Sequence, residues 1–264
     1  MKLNLNSPEP PVPNRVLHID ADILAYQSAC AEEGCKQMDL YSRILNLKEL
    51  ARASYVKLHL TMGHKGGREL IEGYQAKRKS AKPNLEMIEN VQRLKVHMCT
   101  LPQGMPHYDQ EADDGIAQEM VRDKYAVLWS QDKDLRMVGG MHLEDKTGQI
   151  VESTWGYGSC SLDESTSAPK VIGYGESFFW HQMLMGDAVD GVKGVPRVGA
   201  VRAYDILHGC VEDTQAIPKV IDAYKKAFGG DAWRKHFLDN AYMLWIRSVK
   251  GQDIRKFLTK YYYE

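Results

Sequence analysis

No Cys-x-x-Cys pair and no Cys/His arrangement with zinc spacing occurs in this 264-residue chain. The five cysteines, Cys30, Cys35, Cys99, Cys160 and Cys210, are odd in number and scattered. They read as reduced thiols. Cys30 and Cys35 are near enough to pair in an oxidising compartment, but no signal-peptide pattern points to one, and a cytoplasmic location is expected. No apolar run approaches the ~20 residues of a membrane helix, and no internal repeat is present. There is also no excess of charge: 34 Lys and Arg face 35 Asp and Glu, a net charge of −1. That balance argues neither for nor against a nucleic-acid partner. A basic track can be offset by an acidic metal site, so charge must be read locally.

What remains is an ordinary globular composition, 44% hydrophobic and 26% charged, in a chain long enough for one large domain or two small ones. Residues 1–13 hold four prolines and no periodicity, and read as a loose tail. Arg15 to Asp20 reads as a short buried strand, followed by a helix from Asp22 to Ala31. A further helix is expected over 43–53 and a strand over 55–60. Past Pro83, Leu85, Ile88, Val91 and Leu94 predict a helix. Another runs over 111–125, and Ala126 to Ser130 forms a strand. Alternating strands and helices favour a parallel α/β sheet, whose ligands sit beyond the carboxyl ends of the strands. Asp20 and Asp132 both lie at such ends. Residues 139–176 show weak strand signals. Helices are expected over 177–185, 199–208, 213–228 and 233–248, with a boundary near 170.

Four acidic clusters stand out: Asp20-Ala-Asp22, Glu111-Ala-Asp113-Asp114, Asp132-Lys-Asp134 and Asp187-Ala-Val-Asp190. Each has a plain reading. Carboxylates in a first helical turn are often dipole partners worth ~0.3–1 kcal/mol. Asp22 reads as the N-cap of its helix, and the other pairs read as turn residues. Together they say more. If they converge, like charges ~4 Å apart repel by about 4 kcal/mol at an effective dielectric of 20. Such a site must take up protons or cations. Oxygen-only ligands suit Mg²⁺ or Mn²⁺ rather than zinc. Two such ions, ~3.5–4 Å apart, hold the attacking and leaving oxygens of a phosphodiester.

Between 64 and 82 the chain is rich in Gly, Lys and Arg: Lys65, Arg68, Lys77, Arg78, Lys79 and Lys82 outnumber Glu69 and Glu72. A Lys/Arg run is usually a solvated loop, but beside a phosphate site it would grip a nucleic-acid backbone. Tyr74 fits either a base-stacking group or a core residue. The run from Gly186 to Gly199 carries Gly194, Val195, Arg197 and Gly199 in a turn between two helical stretches. Glycines let backbone N–H groups approach phosphate, and the second helix aims its N-terminus there. A plain helical connector is the alternative.

The segments Leu17 to Tyr26, Glu111 to Asp114, Ser130 to Gly139 and Gly186 to Gly199 together resemble the 5′-nuclease superfamily. The resemblance is nearest to the phage-type 5′–3′ exonucleases related to the nuclease domain of bacterial DNA polymerase I. It covers about residues 16 to 210. It implies an α/β fold: a PIN-like catalytic domain over 14–170, then a helical helix–three-turn–helix DNA-binding region over 171–264. It implies metal ligation by Asp20, Glu111, Asp113, Asp114, Asp132, Asp134, Asp187 and Asp190, for two Mg²⁺ or Mn²⁺ ions. Lys77 and Arg78 would act on the scissile phosphate. Arg68, Tyr74, Lys77 and Arg78, with Gly194, Val195, Arg197 and Gly199, would bind DNA, and K⁺ would sit at the 194–199 hairpin. The implied activity is 5′–3′ exonuclease, extending to flaps and to RNA in hybrids, by a monomer with no membrane contact. Two departures stand out. No carboxylate follows the second main strand at Thr61-Met62-Gly63, where many relatives carry an Asp. Gln75 stands where the Tyr-Lys-x-x-Arg motif has Lys.

Two rivals are weighed. A haloacid-dehalogenase-like phosphatase would use Asp20 and Asp22 as nucleophile and acid, but needs a strand before Gly186 where Phe178 to Met185 reads as a helix. A catalytically impaired relative would bind DNA ends or branches without cutting. The departures near Met62 and at Gln75 motivate it, and retention of the other carboxylates opposes it.

Overall fold

The structure, a computed structural model, describes residues 9–76, 84–144, 147–165 and 167–259. Strand β1 (Val12–Asp20) lies in the middle of a six-stranded sheet of order β3-β2-β1-β4-β5-β6. Its neighbours are β2 (Ala53–Thr61) and β4 (Val127–Trp129); β3 (Gly104–His107), β5 (Gly140–Leu143) and β6 (Ile150–Ser153) complete it. The first five strands run parallel, and only the β5–β6 pair is antiparallel. This is the mostly parallel α/β sheet that the alternating pattern predicts. The strand starts earlier than the tail reading allows. Val12 already pairs with Ala53, and the register shifts before Val16, with Asn14 at φ 60°.

Helices cover both faces. Helix α1 (Ala21–Ala29) buries Ala21, Leu24, Ala25, Ser28 and Ala29, the helical spacing of one face. With α2 (Lys36–Leu50) and α3 (Leu85–Thr100), it closes one core with Leu17, Ile19, Leu58 and Leu60. On the other face α4 (Ala112–Arg122) sets Ile116, Ala117 and Met120 against Leu128. Gly115 sits inside this helix because a Cβ there would come within 2.2 Å of the His107 ring.

Strands β7 (Ser159–Asp163) and β8 (Lys170–Tyr174) pair as a separate ribbon. Beyond it come α5 (Glu176–Met185), α6 (Ala200–Leu207), α7 (Asp213–Phe228), α8 (Ala232–Leu244) and α9 (Ile254–Leu258). Helix α5 is buried on all sides from Ser177 to Leu184 and is the axis of this part. Its cluster also takes in Tyr74 and Met137 from the sheet-bearing part, so the two parts share packing. Among the described residues, no helix is long and apolar enough to cross a membrane.

Candidate metal centre

Parallel register brings the first two clusters together. Leu17 pairs with Val127 and Ile19 with Trp129, so β1 and β4 end side by side. Asp20 thus faces Ser130, whose hydroxyl donates to Asp20 Oδ2 at 2.8 Å. After Ser130 the chain turns into a short 3-10 helix (Lys133–Met137), which Asp132 caps by accepting from Asp134 N at 2.9 Å. Helix α4 opens on the same side. Glu111 occupies its N-cap position, and Thr61 Oγ1 accepts from Ala112 N at 2.9 Å.

These pieces surround a cleft of about 890 Å³. Seven carboxylate side chains line it: Asp20, Asp22, Glu111, Asp113, Asp132, Asp134 and Asp190. Carboxylate oxygens of Asp134, Asp187 and Asp190 lie within 4.8 Å of one another. Asp187 is held by Lys133 Nζ at 2.6 Å, and its other oxygen accepts from Val189 N at 2.8 Å. Gln182 of α5 donates to Asp134 Oδ1 at 2.6 Å, while the amide oxygen of Gln182 is buried without a hydrogen-bond partner.

So many acids in one place change their own chemistry. Burial, and then the charge of Asp22, push the Asp20 carboxyl up to about 7. Burial, and then Asp132, push Asp134 up to about 7. Asp113 is driven well above the ordinary carboxylate range by burial, with Asp20 and Asp132 adding to it. Burial raises Glu111 and Asp132 as well. Burial acts on Asp187 too, but the Lys133 hydrogen bond and charge win and hold it low. The cleft therefore holds excess negative charge that only protons or cations relieve.

Of the residues expected at this site, Asp114 lies behind the cleft, while Arg68 and Tyr74 line it from buried positions. Asp114 is 0% exposed and is not part of the cleft wall. Its oxygens accept from Arg68 Nη1 and Nη2, both at 2.8 Å, and from Arg247 N at 2.8 Å. Arg68 is 2% exposed and also donates to Glu111 at 2.9 Å and to the Trp245 carbonyl at 2.5 Å. Its guanidinium thus anchors the carboxylates of Asp114 and Glu111 at the cleft. Asp114 serves as the counter-charge of that arginine. Tyr74 is 4% exposed, packs in the C-terminal core, and donates its hydroxyl to Glu111 at 2.9 Å. Gln75 donates to Asp190 Oδ1 at 3.1 Å and accepts from Lys65 Nζ. Lys77, Arg78, Lys79 and Lys82 lie outside the described residues.

The Gly186–Gly199 turn joins α5 to α6. Gly194 has φ 62°, and a Cβ there would meet Gly186 N at 2.4 Å and Leu184 O at 2.6 Å. Val195 is buried and its N–H donates to Leu184 O at 2.7 Å. Gly194 and Val195 thus pack against the end of α5. Arg197 and Gly199 are exposed, and Gly199, at the N-cap of α6, has open space around it.

Three further groups, Asp22, Lys95 and Gln182, contribute to the site. Asp22 does not cap α1, since Asp20 occupies the N-cap position; it lines the cleft instead. Its place beside Asp20 in the first acidic cluster was the available signal. Lys95 and Gln182 come from helices whose apolar spacing alone was legible, and nothing local marks them. The residues ahead of Gly186 form helix α5, which removes the strand that a haloacid-dehalogenase-like phosphatase requires there.

No family model and no curated protein matches the chain by sequence. Solved structures do match it. A T5 5′-exonuclease with bound zinc aligns with a TM-score of 0.66 at 16% identity, over 93% of this chain and 97% of that one. The bacteriophage T5 flap endonuclease, as a pseudo-enzyme–product complex with DNA and metal ions, aligns with a TM-score of 0.63 at 16% identity, over 93% and 97%. At this identity the likeness is one of fold: this chain has the fold of the T5 5′-exonuclease.

Proposed function

We propose that the protein is a divalent-metal-dependent nuclease that hydrolyses DNA phosphodiesters from a 5′ end, extending to flaps, and leaves 5′-phosphorylated products. The observation that carries this reading is the convergence of seven carboxylates in one cleft at the carboxyl ends of β1 and β4. A cation fits the donor set. The ligand atoms are all oxygen, as Mg²⁺ or Mn²⁺ prefers, and buried acids lifted to about 7 lose their mutual repulsion when a cation arrives. Asp20, Glu111, Asp113 and Asp132 would hold one ion, and Asp134, Asp187 and Asp190 a second. Bound ions would supply water activation and charge neutralisation at the departing 3′-oxygen. The T5 relatives named as a zinc-bound exonuclease and as a flap endonuclease with DNA support the same chemistry here.

The chain's own groups do the remaining work. Ser130 and Gln182 fix the directions of the Asp20 and Asp134 oxygens. Lys65 and Lys95 bring positive charge to the wall of the cleft, and Lys77 and Arg78 complete the phosphate-neutralising set in this reading. No general-base side chain is assigned. The exposed Arg197 and Gly199, with the free amides opening α6, would meet duplex phosphates, with K⁺ assisting. An RNA strand in a hybrid would be accepted, and the protein would act as a monomer.

End-labelled duplex and flapped DNA incubated with Mg²⁺ tests this. The intact protein should release 5′-phosphorylated product, and Asp132→Asn and Asp187→Asn should not. DNA binding without cutting in either Mg²⁺ or Mn²⁺ would replace this reading with that of an impaired DNA-end binder. Release from the 3′ end would remove the polarity.

A further inference from the structure

Thr61 ends β2 at the rim of the cleft, and neither it nor Met62 and Gly63 beyond it contribute a carboxylate. The space above them is nevertheless acidic, because Asp22 reaches it from α1. Both Asp22 oxygens lie 3.2 Å from Thr61 N, which donates to them. This crosses from the strand-one side of the site to the strand-two side. A lysine ammonium fills the position so created. Lys95, from α3, places Nζ 2.8 Å from Asp22 Oδ1 and 2.5 Å from the Thr61 carbonyl oxygen. Its side chain is 14% exposed, so the charge is enclosed rather than waving in solvent. One carboxylate oxygen and one backbone carbonyl oxygen around a positive charge is the donor chemistry that hard cations use.

We propose, building on the metal-dependent reading above, that Asp22 is a further carboxylate of the metal site, with Lys95 as the internal cation that neutralises it before metal arrives. The alternative is a purely structural bridge tying α1 to α3. Three features favour the site role. Asp22 and Lys95 both line the cleft rather than the helix interface behind it. Asp22 stands two residues from Asp20, which lines the same cleft. The second acidic group shows the same arrangement, with Lys133 Nζ 2.6 Å from Asp187. Each half of the site thus holds one tethered ammonium against one carboxylate. The two differ in that Lys95 is the more enclosed, at 14% side-chain exposure against 45% for Lys133.

A tethered cation competes with a free one. Removing Lys95 should therefore strengthen divalent-cation binding, while removing the Asp22 charge should weaken it. A structural bridge makes no such opposite pair: both variants would lose thermal stability and neither would change metal affinity in its own direction.

The test is Mn²⁺ titration by calorimetry on the full chain without DNA, using the intact protein, Asp22→Asn, Lys95→Met and Asp134→Asn, each checked for folding by thermal melting. Asp22→Asn should bind one Mn²⁺ about tenfold or more weaker, in line with losses of ~10–100-fold for metal-site partners. Lys95→Met should bind several-fold tighter than the intact protein. Unchanged affinity in Asp22→Asn, or no gain in Lys95→Met, overturns the proposal while leaving the nuclease reading intact. That reading fails separately if the intact protein binds no Mn²⁺ or if Asp134→Asn binds as well as the intact protein.

Discussion

The guanidinium of Arg68 and the carboxylate of Asp114 meet fork to fork, with Nη1 and Nη2 each 2.8 Å from an oxygen, inside a region where both residues are almost fully buried. The Trp245 carbonyl and the Arg247 amide complete the set from the C-terminal part. Breaking a buried pair by removing one partner strands the other's charge, which costs about 3–5 kcal/mol. Arg68→Ala and Asp114→Asn should therefore lower the unfolding free energy by that order in denaturant melts. If Arg68 instead gripped DNA, Arg68→Ala would keep its stability and lose only DNA affinity.

The raised acids set a pH dependence for the metal-free protein. Asp20 and Asp134 ionise near 3.8 when unfolded but at about 7 when folded. Between those values the folded state holds more protons than the unfolded one, so stability falls as pH rises from about 4 through 7. The melting temperature without divalent ions should decline across that window. Adding Mn²⁺ should offset the decline, and the Asp20→Asn, Asp134→Asn double variant should show a shallower slope. A flat or rising profile in the double variant's parent would contradict the burial of these acids.

Gln182 gives a subtler test, because it touches no solvent and donates to a single acid. Replacing it with Leu keeps the volume and removes the 2.6 Å bond to Asp134 Oδ1. Asp134 should then hold its proton to higher pH and orient less firmly. Mn²⁺ affinity should drop about 10–100-fold, as for other partners of metal-binding carboxylates. Restoring a donor with Gln182→Asn should not recover it, since the shorter chain falls short of the oxygen.

Two glycines in one turn should behave oppositely. Gly194→Ala forces a left-handed residue into contact with Gly186 N and Leu184 O, so backbone strain alone costs about 1–3 kcal/mol. Gly199→Ala meets nothing within 4 Å and has an ordinary φ of −96°. Its melting temperature should stay within a degree or two of the intact protein's, and any loss should appear in DNA affinity. Equal destabilisation of both variants would show that the turn acts as a single packed unit.

Sequence alone went far here because periodicity and strand ends are local properties. The helix at α7 is legible to its last residue, and the stretch from Phe178 to Met185 is legible as the helix that α5 forms. Asp20 and Asp132 were readable as site residues since each follows a buried apolar strand, and parallel register then had to place them together. What sequence could not decide was which side of each helix faces the cleft. Glu111, Asp113 and Asp114 look alike in a row, yet α4 turns by roughly 100° per residue, which sends Asp114 behind the wall to Arg68 while Asp113 lines it. The same holds for Asp22 and Lys95, 73 residues apart, whose meeting depends on α1 packing beside α3 over the end of β2. Carboxylate number and order were fixed by the chain; which of them face a cation, and which face an arginine, was decided only when the helices took their angles against the sheet.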